Sequence, residues 1–322
     1  MRGVVVAQVN EYRGWPTPQG LRDARARLLP QLEGGPIGYS IASDAIRRIG
    51  QTGSPSELAL LLRSLRTALV DLRNEYRRSN ADRQDVAIDY SGDTALAYCA
   101  AYLNPYIDLA RWCIMRSLDP HSIGSILRVG IIGPGPCPEL IALLDLLNTL
   151  DSPCCRIGIH LFDVNHKAWR PMRNAVVQSG QLMFPRVKVT SVETSVRVGV
   201  DEGFKAPRAD LDLVIGQNFL NEGVSSGAHL IANLSSIFER LKPGRCMIIA
   251  DQQNESAKHG LNRIENWKPD GSTTKIWKNT GIQSDPPHWD VTPEFKELFA
   301  EDPRLWPRRN NRFTAVRVTK AL

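Results

Sequence analysis

Residues able to do chemistry recur at regular places in this sequence, each closing an apolar run. Gly133, Pro134 and Gly135 follow 126–132, and Asp163 follows 156–162. Glu193 follows 186–192, and Gln217, Asn218 and Phe219 follow 211–216. The first of these places says most. Residues 125–139, SILRVGIIGPGPCPE, read as a buried strand, a Gly-Pro-Gly-Pro turn and a helix start, with Pro138 suited to the first helical turn. Glycine lets a ligand approach the backbone closely, and the free N–H groups at a helix N-terminus face that ligand. A strand feeding such a turn suits a nucleotide-like molecule.

The elements that must hold these residues alternate. Strands at 126–132, 156–162, 186–192, 211–216 and 246–250 enclose helices from 138, at 167–179 (closed by Gly180) and at 229–241. That order implies an α/β fold with a doubly wound, mainly parallel sheet. Right-handed crossovers then gather the C-terminal strand ends along one edge. A Lys242-Pro243-Gly244 turn precedes the fifth strand and Asp251 follows it. Farther on, 273–278 and 312–319 alternate like strands. A Pro- and Trp-rich insertion at about 280–310 separates them and contains His288, Trp289, Asp290 and Trp306. Long irregular insertions of this kind are often functional.

Upstream the pattern is helical. It divides the chain into a helical N-terminal region at 1–120, read as a lid or recognition element, and a sheet domain at 121–322. Residues 1–55 give only short signals: Val4-Val5-Val6, a basic helix at 21–32 and another helix at 41–49. Ser54-Pro55-Ser56-Glu57 has the form of a capping box. Leu58, Leu61, Leu62, Leu65, Leu69, Leu72 and Tyr76 then make one apolar face. Arg63, Arg66, Arg73, Arg77 and Arg78 make the other, which reads as solvated or as RNA-facing. Thr94 opens a second long helix, which Pro105 is expected to kink or divide. Tyr98, Tyr102 and Tyr106 share a face of it, either as core or as the wall of a ligand pocket.

The chain has 322 residues, enough for a large core, and an ordinary globular composition. A net charge of +6 permits a polyanionic partner without requiring one. No apolar run reaches the roughly 20 residues of a membrane span. The N-terminal apolar stretch is too short for a signal peptide, so a cytoplasmic setting is expected. Six cysteines with no CxxC pair argue against a zinc ribbon, an iron–sulfur cluster or a disulfide framework. They read as free thiols in a reducing compartment, and no metal site is expected.

Over about 125–251, with the strand at 312–319, the chain resembles the class I S-adenosylmethionine-dependent methyltransferases. The resemblance rests on the Gly133–Pro134–Gly135 turn and on Asp163, Glu193, Gln217, Asn218 and the Lys-Pro-Gly turn. It implies a Rossmann-like sheet and S-adenosylmethionine as cofactor, released as S-adenosylhomocysteine. The glycine turn would pack against the amino-acid and ribose part, Asp163 would bind the ribose hydroxyls, and Glu193 would approach the adenine amino group. The segment of Gln217, Asn218 and Phe219 would face the methyl group and the acceptor. A carboxylate can accept two hydroxyls as a bidentate pair, and methyl transfer needs chiefly alignment and exclusion of water. Two positions depart from the family's acidic-x-Gly-x-Gly-x-Gly pattern: Ile131 stands at the acidic position and Cys137 at the third glycine. The first removes an expected contact to the cofactor's amino group, and the second puts a β-carbon where it could crowd the pocket. The helix at 97–106 also resembles, faintly, the one preceding the methyltransferase domain in methyltransferase-like proteins of mitochondrial ribosome assembly, without their cysteine cluster.

The acceptor stays open between a small molecule and RNA. Arg304, Arg308, Arg309, Arg312, Arg317 and Lys320, with Trp267, Trp277, Trp289 and Trp306, suit RNA. A lid of N-terminal helices and insertion suits a small acceptor, with Tyr102, Tyr106 and Trp289 as contacts. His288, Asp290 and Asp251 are candidate acid–base helpers. A ribosome- or RNA-binding protein of this fold with weak or no catalysis is one alternative. An NAD-dependent oxidoreductase is another, although Gly133 to Pro138 is not GxGxxG. The oligomeric state is not legible.

Overall fold

The computed structural model describes residues 65–82, 92–119, 123–149, 152–220, 227–252, 255–283 and 310–322, with single positions at 57, 60, 61, 63 and 90. The readings of residues 1–55, of the Arg77 and Arg78 side chains, and of His288, Trp289, Asp290, Trp306, Arg304, Arg308 and Arg309 lie outside the described residues.

Among the described residues seven strands form one sheet: β1 Ile126–Ile132, β2 Arg156–Phe162, β3 Lys188–Thr194, β4 Leu211–Gln217, β5 Leu241–Gln252, β6 Thr273–Gln283 and β7 Asn310–Thr319. Their spatial order is β3-β2-β1-β4-β5-β7-β6. The first five pair in parallel, and β7 runs antiparallel to both β5 and β6. This is the doubly wound, mainly parallel, Rossmann-like sheet that the alternation predicts. The described helices are α1 Arg66–Asp82, α2 Asp93–Ser117, α3 Pro138–Thr149, α4 His166–Met183, α5 Leu230–Phe238 and α6 Glu255–Asn266. α6 was not anticipated from sequence.

Strand periodicity sorts side chains onto two cores. Cys246, Ile248 and Ala250 of β5 and Phe313 and Ala315 of β7 join the core made with α1, α2, α3 and α4. Met247, Ile249, Val316 and Val318 join the core made with α5 and α6. β4 is buried at every position, as its unbroken apolar run requires of a central parallel strand. The edge strand β3 is half-buried or exposed throughout. The N-terminal helices thus share a core with one face of the sheet. α2 spans about 37 Å at 1.5 Å per residue. It reaches from Trp169, beside the glycine turn, to Trp277 and Phe313 on the antiparallel edge. A buried ion triad ties α2 to α3: Arg111 bonds Asp108 at 2.9 Å and also bonds Asp145.

Several expected boundaries move. Pro105 does not divide α2, which runs unbroken over 25 residues. Burial of nearly every side chain around the proline outweighs the one hydrogen bond it cannot donate. Gly180 does not end α4; a Cβ there would lie 2.5 Å from the Leu144 side chain, so it marks the close approach of α3. Glu193 lies inside β3, opposite Leu161, rather than beyond it. Lys242, Pro243 and Gly244 form an irregularity inside β5, where the pairing jumps from Leu211–Leu241 to Leu213–Cys246. Among the described residues no helix is long and apolar enough to cross a membrane.

Candidate functional site

The strand order reverses between β1 and β4, because β2 and β3 lie to one side of β1 and β4 and β5 to the other. Ligands of open α/β sheets bind outside the C-terminal ends of the strands at such a point. Here β1 runs into the glycine turn. The Gly133 N–H donates to the Phe162 carbonyl at 2.9 Å, which fixes the turn to the end of β2. Gly133 has φ +59°, and a Cβ added to it would lie 2.6 Å from the Phe219 Cβ. Left-handed backbone and close approach together demand glycine at this place. The Cys137 N–H donates to the Pro134 carbonyl at 2.6 Å, and α3 begins at the next residue. Cys137 itself has φ +67°, and its side chain packs in the core. Burial pushes its thiol up to about 12. Its β-carbon is therefore directed into the core.

On the β2 side the polar groups are tied together by one arginine. Asp163 follows β2 and is buried. Its Oδ1 accepts the Asn165 N–H at 2.8 Å, and its Oδ2 accepts from the Arg173 guanidinium. Arg173, on α4, also donates from Nε to the Gly135 carbonyl at 2.7 Å. Its Nη1 lies 3.6 Å from Glu193 Oε1, and Arg170 donates to Glu193 Oε2 at 2.6 Å. One guanidinium thus joins the glycine turn to the ends of β2 and β3. Burial raises Asp163 above the ordinary carboxylate value even beside that cation. Burial raises Glu193 too, but the bond and charge of Arg170 outweigh it and hold the group low.

On the β4 side the polar groups stand differently. Gln217 ends β4, and Asn218 follows with φ +52°, its N–H donating to the Ala250 carbonyl at 3.0 Å. Both side chains are more than nine-tenths buried, and neither amide has a hydrogen-bond partner among the described residues. Glu139, in the first turn of α3, is fully buried and has no hydrogen-bond partner for either oxygen among the described residues. Burial is the main cause that raises its carboxyl to about 8. Its own N–H and the Gln217 amide temper that rise without forming hydrogen bonds of ordinary geometry. Asp251, at the end of β5, accepts the Leu220 N–H at 2.8 Å and the Gln252 N–H at 2.7 Å. It clamps the segment that follows β4.

An aromatic wall borders the turn. A Cβ on Gly135 would meet the Trp169 ring at 3.8 Å. Trp169 packs against Tyr90 and Tyr98, and Tyr98 packs against Tyr102 and Tyr106. The Tyr106 hydroxyl accepts from the Gln252 side chain at 3.1 Å. Tyr102 and Tyr106 are buried and extend this wall toward the end of β5.

The expected residues Gly133, Pro134, Gly135, Asp163, Gln217, Asn218 and Phe219 therefore converge at the switch point, with Glu193 one strand farther out. Sequence reasoning missed Glu139, Trp169, Arg170 and Arg173. Glu139 did carry a signal, as a lone carboxylate inside the apolar run Pro138-Glu139-Leu140-Ile141-Ala142-Leu143. Arg173 carried none, because its partners are distant in the chain. Two of the basic residues assigned to an RNA surface are engaged internally. Arg317 donates to the Arg116 carbonyl at 2.5 Å, and Lys320 donates to the Glu239 and Leu241 carbonyls at 2.8 and 2.7 Å. All six cysteines are free, and only Cys155 is exposed. Among the described residues no cluster of three or more His, Cys, Asp or Glu side chains could hold a metal ion.

No protein-family model and no curated relative matches the chain. Among solved structures it is similar to a precorrin-6y C5,15-methyltransferase from Geobacter metallireducens at 13% identity, over 75% of this chain and 97% of that one, with a TM-score of 0.36. It is similar to an rRNA methylase from Streptococcus thermophilus at 11% identity, over 67% of this chain and 97% of that one, with a TM-score of 0.37. It is also similar to a methyltransferase from Pyrococcus furiosus at 13% identity, over 80% of this chain and 98% of that one, with a TM-score of 0.40. At such identities and TM-scores no role passes from those proteins to this chain, and function must be argued from the site itself.

Proposed function

We propose that this chain is an S-adenosylmethionine-dependent methyltransferase acting on an acceptor nitrogen or oxygen in a reducing, cytoplasmic setting. One observation carries the reading. At the switch point a left-handed glycine turn opens α3, Asp163 stands at the neighbouring strand end, and the buried amides of Gln217 and Asn218 lack partners among the described residues. Buried polar groups are satisfied by protein, water or ligand, so a ligand with donors and acceptors fits there. The antiparallel β7 and β6 at the far edge, with the absence of a third glycine at Pro138, count against a dinucleotide oxidoreductase.

In this reading Gly133, Pro134 and Gly135 bring the backbone close to the cofactor. Asp163 accepts from the ribose hydroxyls, sharing or exchanging its bond to Arg173, and Glu193 lies toward the adenine. Bound S-adenosylmethionine supplies a sulfonium methyl group for direct displacement and leaves as S-adenosylhomocysteine. Asn218 orients the accepting atom by a hydrogen bond, and Phe219 keeps water from it. Tyr102 and Tyr106 line the acceptor side. That buried aromatic wall favours a small enclosed acceptor over an RNA strand laid across an open face.

A second reading rests on Arg173. Its engagement of Asp163 leaves one expected ligand group already satisfied, as in an RNA- or ribosome-binding protein that keeps the fold without efficient catalysis. Calorimetric titration with S-adenosylmethionine and S-adenosylhomocysteine, with NAD as control, separates the two. Micromolar binding that falls at least about tenfold in Asp163→Ala supports the enzyme, since a bond to a charged group contributes at least that much. No binding of any of the three ligands overturns it in favour of the second reading.

A further inference from the structure

Glu139 stands where nothing in the fold requires a carboxylate. It lies in the first turn of α3, wholly buried, with no hydrogen-bond partner for either oxygen among the described residues. The groups that face it come from four directions: Cys113 from α2, Cys137 from the glycine turn, Gln217 from β4, and Asp163 with Arg173 from the β2 side. Among the described residues Arg173 is the one cation facing it, and it is already engaged by Asp163, the Gly135 carbonyl and Glu193. The Gln217 amide faces Glu139 and has no hydrogen bond of ordinary geometry among the described residues. A buried carboxyl with an unpartnered amide beside it, at the end of the two central strands, is prepared for a compact cation with several N–H donors. An ammonium group is such a donor, and the first turn of a helix favours a carboxylate that pairs with it.

The position at 131 sharpens this. The resemblance to the methyltransferases implies an acid at the end of β1, against the amino group of the cofactor's amino-acid part, and this chain has a fully buried isoleucine there. We infer that Glu139, with the Gln217 side-chain oxygen, is the counter-ion for the ammonium group of the bound cofactor. It supplies from α3 the charge that β1 lacks. This rests on the cofactor reading above and adds a positioning residue and a proton linkage to it. Burial holds the empty carboxyl protonated at neutral pH, with a pKa of about 8. Arrival of the ammonium stabilises the carboxylate, and the carboxyl proton passes to solvent as the ligand binds. Affinity therefore climbs as pH rises toward 8 and levels off above it.

The test is calorimetry on the full chain near pH 7, in two buffers of different ionisation heat. The ligands are S-adenosylhomocysteine and 5′-methylthioadenosine, which lacks the amino-acid part. Wild type should release close to one proton per S-adenosylhomocysteine and none with 5′-methylthioadenosine. Glu139→Gln should weaken S-adenosylhomocysteine by about ten- to hundredfold, the worth of one charge-assisted pair, abolish the proton release and leave 5′-methylthioadenosine unchanged. An unchanged affinity in Glu139→Gln, or an equal loss for both ligands, overturns the assignment while leaving the cofactor reading intact. Wild-type binding without proton release overturns it without recourse to any variant. Failure of wild type to bind either ligand overturns the cofactor reading and this inference with it.

Discussion

The two sides of the glycine turn satisfy their polar groups differently. Toward β2 and β3, Asp163 and Glu193 are held by Arg173 and Arg170. Toward β4, Glu139, Gln217 and Asn218 have no hydrogen-bond partner among the described residues. An unsatisfied buried polar group costs about 1–3 kcal/mol, so three side by side are a considerable strain on the fold. The left-handed Asn218 adds to it. The contrast separates two ways of preparing a site. On the first side the carboxylates already hold arginine partners and must exchange one to bind a ligand. The second is incomplete and gains its partners on binding.

The largest effect that tests this contrast belongs to the completed side. Arg173→Ala leaves the buried Asp163 carboxylate without its cation. It should lower unfolding stability by about 3–5 kcal/mol, the usual consequence of removing one member of a buried pair. Asp163 already has a raised pKa, and the loss of Arg173 raises it further. The deficit should therefore shrink as pH falls and the group protonates. Urea unfolding at several pH values measures both. A loss below about 1 kcal/mol, the level of a surface pair, would show that Arg173 is no keystone and would break the comparison.

Next comes the incomplete side. Glu139 has a folded pKa of about 8 against an ordinary 4.5. Between those values the folded state keeps a proton that the unfolded state has released, so stability falls as pH rises through that window. The total is at most about 5 kcal/mol, from roughly 1.4 kcal/mol per pKa unit. Glu139→Gln removes the titrating group. Its stability relative to wild type should therefore increase steadily from pH 5 to 8 in thermal or urea unfolding. Parallel profiles for the two proteins would mean that Glu139 is ionised and satisfied when folded, and the two sides would no longer differ.

These two sides were not equally legible in the sequence. Asp163 and Gln217 could be placed because each closes a run with strand periodicity, and β1 and β2 have the bounds that the apolar pattern gives. Arg173 could not be placed, since a guanidinium on an amphipathic helix looks the same whether it meets solvent or a buried carboxylate. The bond that matters joins it to residues 135 and 163 through the packing of α4 on the turn. Gly180 was misread for a similar reason: a glycine that ends a helix and one that lets Leu144 approach share one letter. Lys242-Pro243-Gly244 read as a turn because Pro and Gly usually punctuate strands, whereas pairing of Leu241 with Leu211 carries β5 past them. Glu139 needed only the observation that a charge within an apolar helix is buried.

The smallest expected effect concerns Cys137, at the boundary between the two sides. Its left-handed φ of +67° costs a non-glycine residue about 1 kcal/mol, which glycine would relieve. Against that, Cys137→Gly loses a buried side chain from the core and makes the unfolded chain freer, each by a similar amount. The stability change should therefore stay within about 1 kcal/mol, read from the urea midpoint. Cofactor affinity should change less than about threefold, because the β-carbon points into the core and not across the turn. A tenfold gain in affinity on restoring this glycine would locate the limit on binding in the turn itself. The contrast between a completed and an incomplete side would then be secondary to the shape of the loop that divides them.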